Sequence, residues 1–286
     1  MSMLAADALA NKSIVITGGG TGVGKAMAEH FAGLGATVHI WGRRETVLAE
    51  AAEPIGAHFQ VVDVRDADAV SDAVDELWAA RGPLTGVLNN AGANFVARTD
   101  KISHRAYRAL TSTILDGSFH LTHAVGRRWI AEGLPGSVVS TLTTWVWTGS
   151  GFVTPAAMAK AGVHAMTMSL AAEWARFGIR LNAVAAGPFP TEFAWKVLSP
   201  TGDASVGATQ KDRVPMGRFG ELPELGNLMA FLFADGCDYL TGACIPIDGG
   251  QMLAGPGTLN DLAHLTPEQW DAATEAAKAA AAAAKN

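Results

Sequence analysis

The sequence predicts an α/β protein: a doubly wound parallel sheet with helices on both faces, in a single domain with a C-terminal helical extension. Short β-rich runs alternate with helical patterns along most of the chain, and parallel strands need such crossovers. The first of those runs passes directly into a glycine-rich turn that opens a helix. No repeat or flexible linker interrupts the pattern, and 286 residues, 49% of them hydrophobic, can bury one large core.

Ser13–Thr17 reads as a strand, Gly18–Gly24 as a glycine loop and Lys25–Leu34 as a helix. Then come Thr37–Trp41 (strand), Glu45–Ile55 (helix), Ala57–Val62 (strand), Ala67–Ala80 (helix) and Thr85–Leu88 (strand). Asp66 is placed to cap the helix that follows it. One long helix is expected from about His104 to Ala131, ahead of the strand Ser137–Leu142. A helix carrying Lys160, the strand Arg180–Ala185, a loop from Gly187 to about Val206 and a strand near Ala243–Ile247 follow. Thr266 as cap, Pro267 at the first helical position and Glu268 behind them start a tail helix to Ala282.

A formal net charge of -6 argues against nucleic acid as a partner. Cys237 and Cys244 have no other thiols near them, so they suggest a structural or reduced pair and no metal site. The first ten residues lack the features of a secretion signal or transit peptide, and no uninterrupted apolar run reaches membrane-span length. A cytoplasmic protein is expected.

Thr17–Gly24 follows a strand and opens a helix, the context a dinucleotide site requires. Glycines at 18, 22 and 24 permit the tight turn, close approach to a pyrophosphate and close helix packing; Gly20, Thr21 and Val23 complete the loop. A Rossmann-type sheet is therefore expected over residues 11–255, with 1–10 as an N-terminal arm and 256–286 as the extension. The second strand ends in Trp41–Gly42–Arg43–Arg44, where an NAD enzyme usually offers a carboxylate to the adenosine ribose. Gly42 offers none, and Arg43 suits a 2′-phosphate, so NADP(H) is the expected cofactor. Arg44 reads equally well as a second phosphate contact or a solvated surface charge. Asp63, with Val64 beside it, is placed to accept from the adenine amino group.

Lys160 has Ala156 one helical turn before it. A tyrosine there would have its phenol pKa lowered by the ammonium and act as a general acid near neutrality. That pair is absent.

Taken with Thr17–Gly24, the runs Asn89–Asn90–Ala91–Gly92 and Ala186–Gly187–Pro188, together with Lys160, make the chain resemble a short-chain dehydrogenase/reductase. Within that superfamily it resembles the mitochondrial-type 2,4-dienoyl-CoA reductases over roughly residues 10 to 280. Gly149–Ser150–Gly151–Phe152, Ser169–Trp174, Leu198–Gly202 and Leu265–Asp271 carry that closer likeness. The resemblance implies cofactor contacts at Asn90, Gly92, Lys160, Gly187, Pro188 and Phe189, a CoA-phosphate contact at Arg65, an acyl contact at Phe152, and a homotetramer. A solvated charge is the competing reading of Arg65. The superfamily tetrad of Asn, Ser, Tyr and Lys falls on Ile114, Thr143, Ala156 and Lys160. The dienoyl-CoA reductases place a serine at Ala156, a substrate-binding tyrosine at Trp145 and an asparagine at Asp116, so all three positions depart here.

The reaction that the resemblance implies passes hydride from NADPH to a conjugated thioester, and charge develops on the thioester oxygen. It needs a donor to that oxygen, while the carbon proton can come from water. Thr143 can donate, as can the Trp145 indole N–H, whereas Asp116 can donate only if burial keeps it protonated. His164, one turn after Lys160, is a candidate relay or a structural histidine. Trp145, Trp147, Phe152, Phe189, Phe193 and Trp195 suit an apolar acyl pocket, and the loop Phe189–Val206 suits a lid. Three readings stand: an NADPH-dependent reductase of dienoyl-CoA or related thioesters, a reductase of another carbonyl or enone, and a nucleotide-binding protein without turnover.

Overall fold

The structure is a computed structural model that describes residues 3–92, 94–191, 211, 213–255, 262 and 265–283. The elements are β1 (Ser13–Thr17), α1 (Gly22–Ala32), β2 (Thr37–Gly42), α2 (Glu45–Ala52), β3 (His58–Val61), α3 (Ala67–Arg81), β4 (Gly86–Asn89) and α4 (His104–Thr111). Then come α5 (Gly117–Glu132), β5 (Gly136–Thr143), α6 (Trp145–Thr148), α7 (Thr154–Trp174), β6 (Ile179–Ala186), α8 (Leu222–Phe233), β7 (Cys244–Ile247), α9 (Gln251–Ala254) and α10 (Pro267–Ala283). The seven strands are all parallel, in the order β3-β2-β1-β4-β5-β6-β7. The order reverses between β1 and β4, and a crevice opens at the carboxyl ends of strands at such a switch point.

Helices cover both faces. Met27 and Phe31 of α1 pack with Leu225, Met229 and Phe233 of α8 over Ile14, Ile16 and Ile40. On the other face Val70, Val74 and Leu77 of α3 and Leu121, Val125 and Trp129 of α5 bury Val15, Val87 and Val138. Leu9, ahead of β1, is fully buried in the first cluster.

Local chemistry explains where several elements begin. Asp66 accepts from the Asp68 and Ala69 N–H groups, both at 3.1 Å, and so caps α3 as expected. Thr266 caps α10, but its reciprocal partner is Gln269, which accepts from the Thr266 N–H at 2.8 Å. Helix α8 is absent from the sequence-derived order, although Glu221 and Glu224 form a capping box at its start.

The expected long helix from His104 is instead broken by a π-helical turn, Ser112–Asp116. Thr111, Ser112 and Thr113 each bond back to the carbonyl four residues earlier, at 3.0, 2.6 and 2.8 Å. Three successive hydroxyls competing for the helix carbonyls widen the turn. Among the described residues no helix is long and apolar enough to cross a membrane. Both cysteines are free thiols.

Candidate active site at the switch point

The glycine loop is tied to the exit of β4. Thr17 Oγ1 accepts from the N–H groups of Asn90 (3.0 Å) and Ala91 (2.9 Å), and Asn90 Nδ2 donates to the Thr17 carbonyl at 3.0 Å. Gly18 and Gly22 have φ of 67° and 55°, which favour glycine. A Cβ on Gly24 would lie 2.2 Å from the Gly18 oxygen, so only glycine lets α1 approach this closely. Helix α1 starts with no side-chain cap and no acidic residue in its first turn. Its N-terminal N–H groups at Gly22, Val23 and Gly24 therefore suit an anion.

Beside the loop lies a cavity of ≈ 150 Å³. Gly18, Gly20, Thr21, Arg43, Arg44, Asp63, Val64 and Gly92, all predicted, line it. Val47, Leu48 and Thr113 line it too and were not predicted. Thr113 arrives through the π turn, which nothing in the hydrophobic periodicity announces. Arg43 and Arg44 are exposed and, among the described residues, neither is in an ion pair. The glycine cradle and the lined cleft fit a nicotinamide dinucleotide.

Asp63 does not stand alone. Arg65 Nε donates to both carboxylate oxygens, at 2.8 and 3.0 Å, and its Nη2 also donates to Oδ2. The guanidinium's hydrogen bonds hold the Asp63 carboxyl below its ordinary pKa. Arg65 is thus engaged by Asp63 while remaining exposed at the surface, its side chain 38% accessible.

Lys160 Nζ donates to the Thr141 carbonyl, and Thr141 Oγ1 donates to Asn90 Oδ1 at 3.4 Å. Those bonds connect α7 to the glycine loop through β5 and Asn90. Burial lowers the ammonium to about 8. Ala156 and Ile114, 3% and 2% exposed, lie in one apolar cluster with Leu110, Leu142 and Val163. The place of a phenol is therefore filled by packed hydrocarbon. Thr143 ends β5, where its Oγ1 accepts from the Trp145 N–H at 3.3 Å. Trp145 packs partly buried against the same cluster.

Several expectations need correction. Asp116 is exposed, so the burial that a proton-donating carboxyl requires is missing. His164 sets its ring edge-on to Trp147 at 5.7 Å, as the structural reading of that histidine expects. Phe189 is buried in the core beneath Gly220, where a Cβ would sit 2.4 Å from its ring, so its side chain is no acyl contact. Gly187 and Pro188 are pinned by backbone bonds, Gly187 N–H to the Ile247 carbonyl at 3.0 Å and Gly220 N–H to the Pro188 carbonyl at 3.1 Å. Phe152 is exposed on the turn before α7. Phe193, Trp195 and the expected lid from residue 192 onward lie outside the described residues, as does the Leu198–Gly202 motif.

Comparison with known proteins agrees with this geometry. The sequence profile described as enoyl-(acyl carrier protein) reductase matches residues 18–252. A Caenorhabditis elegans protein named probable 2,4-dienoyl-CoA reductase, (3E)-enoyl-CoA-producing, is 38% identical over 92% of this chain and 87% of its own length. A Bacillus subtilis (strain 168) protein named probable 2,4-dienoyl-CoA reductase, (2E)-enoyl-CoA-producing, is 37% identical over 85% of this chain and 97% of its own. A solved gluconate 5-dehydrogenase from Burkholderia cenocepacia J2315, in complex with NADP and tartrate, superposes with a TM-score of 0.81 at 31% identity. It covers 87% of this chain and 98% of that one. With the switch-point cleft, the glycine cradle and Lys160 in place, the chain belongs to the short-chain dehydrogenase/reductase family and is an oxidoreductase resembling its 2,4-dienoyl-CoA reductases.

Proposed function

We propose that the protein uses NADPH to reduce 2,4-dienoyl-CoA or a related unsaturated acyl-CoA thioester, a reaction of fatty-acid β-oxidation. The observation that carries this reading is the pairing of a desolvated Lys160 with buried hydrocarbon at Ala156 and Ile114. A site built so cannot pass a proton to and from an alcohol oxygen through a phenol, but conjugate reduction of a thioester does not require that step.

Bound NADPH supplies the hydride. The loop from Gly18 to Gly24 holds the pyrophosphate, with Arg43 and Arg44 on the 2′-phosphate and Asp63 and Val64 at the adenine. Lys160 binds the nicotinamide ribose and keeps the local potential positive. The Thr143 hydroxyl and the Trp145 indole N–H donate to the thioester oxygen as charge develops there. Water delivers the proton to carbon. For Arg65 to reach the CoA phosphates it must exchange Asp63 for them.

We place the enzyme in the cytosol as a homotetramer. Exposed Phe119 on α5 and Met158 and Met168 on α7 support burial against other copies. NADPH oxidation measured with dienoyl-, enoyl- and ketoacyl-CoA thioesters beside simple ketones tests the whole reading. Reduction confined to unsaturated thioesters is expected. Ketone reduction alone would assign a carbonyl or enone reductase instead; tight NADPH binding without any turnover would assign a binding protein, which the buried Ala156 and Ile114 would then explain.

A further inference from the structure

We infer that His120 is a positioning residue for the cofactor: through the peptide group that joins Val64 to Arg65, it sets the Asp63 carboxylate at the adenosine end of the cleft. The inference rests on the NADP(H) placement proposed above. His120 lies one turn into α5, and its Nδ1 meets the Val64 carbonyl at 2.9 Å. A carbonyl only accepts, so Nδ1 carries the proton. Among the described residues no backbone N–H reaches that carbonyl, which leaves the imidazole to satisfy it. The N–H of the same peptide group belongs to Arg65 and donates to Asp63 Oδ1 at 3.1 Å.

A peptide group is planar, so holding its carbonyl also aims its N–H. One chain of bonds thus runs from α5 through a rigid plane to the carboxylate. Gly117, at the start of α5, presses on the side chain of the same residue, where a Cβ would lie 2.6 Å from Val64 Cγ2. Val64 is 7% exposed and lines the cavity beside Asp63, whereas His120 is not among the lining residues. His120 therefore acts on the site without touching it. The Arg65 guanidinium also grips Asp63, but from two residues away on the same exposed loop. That grip ties the two side chains to each other, while the bond from His120 ties their backbone to a helix packed in the core.

Titration of the full chain with NADPH, and with its hypoxanthine analogue that lacks the adenine amino group, tests this. Wild-type protein should bind NADPH about tenfold tighter, as one charge-assisted contact gives. His120→Leu should lose most of that preference, and the loss should fall on binding and not on kcat at saturating NADPH. His120→Asn keeps a donor nitrogen near the place of Nδ1 and should restore the preference. Gly117→Ala pushes Val64 away and should erase the preference as His120→Leu does; it carries the test should His120→Leu fail to fold. An unchanged preference in either folded variant overturns the role and leaves NADP(H) binding standing. No rescue by asparagine likewise overturns it, as does a fall in kcat with the preference intact, because the ring would then serve packing. Wild-type protein that binds both dinucleotides equally overturns the roles of Asp63 and His120 together, and one that binds neither overturns the cofactor reading as well.

Discussion

Replacing Lys160 by methionine should make the protein more stable while removing its activity. The ammonium is lowered by burial from 10.5 to about 8, which at neutral pH costs the folded state about 3 kcal/mol. Methionine is similar in length and brings no charge to desolvate. Against that gain stands the lost hydrogen bond to the Thr141 carbonyl, worth about 2 kcal/mol for a charged donor. A net stabilisation of about 1 kcal/mol remains, or a rise in Tm of about 2–4 °C. The sign of its pH dependence follows from the lowered folded-state value. Below about pH 8 lysine is charged in both states and the penalty is full; as pH rises from about 8 to 10.5 only the unfolded state stays protonated, and the penalty fades. The advantage of the variant should therefore be widest near neutrality and narrow toward pH 10.5. Thermal denaturation of both proteins across that range measures the gap, and NADPH oxidation measures turnover, expected to fall by about a hundredfold or more. A variant less stable than the parent at neutral pH, or a gap that does not narrow, would refute the reasoning. Full activity in a folded variant would remove Lys160 from the mechanism.

Gly24→Ala forces a Cβ to 2.2 Å from the Gly18 oxygen and should cost about 3 kcal/mol along with NADPH affinity. Gly22→Ala meets nothing nearer than Thr191 Oγ1 at 3.9 Å, so only left-handed strain of about 1 kcal/mol is expected; equal melting of the two variants would contradict this account. Arg43→Ala should erase most of an expected preference of at least about tenfold for NADP(H) over NAD(H), read by titration with both cofactors. Ala156→Tyr must fit a phenol into the cluster of Leu110, Ile114 and Leu142, at about 1–3 kcal/mol. It should leave dienoyl-CoA turnover no better while creating weak ketone reduction, and improved thioester turnover would show that the native reaction wants the phenol after all.

What the sequence determined by itself was whatever depends on neighbours in the chain. Glycines at 18, 22 and 24 between a strand and a helix announce a phosphate cradle because turn sterics are local, and alternating strand and helix patterns announce the parallel sheet. Asp66 and Thr266 were legible as caps for the same reason. The arginines at 43 and 44 were legible because the cleft sits at the end of the strand that carries them.

Tertiary structure decided the rest. The π turn at Ser112–Asp116 arises from hydroxyls that can bond outward or backward, and it sends Thr113 into the cleft while Ile114 joins Ala156, far away in sequence, in one hydrocarbon cluster. Phe189 reads as a site aromatic until its ring is seen beneath Gly220, and the burial that Asp116 would need to donate a proton is seen to be missing only in the fold. Burial and charge desolvation are properties of the packed whole, so the lowered pKa of Lys160 becomes visible only when the sheet and its helices close around it.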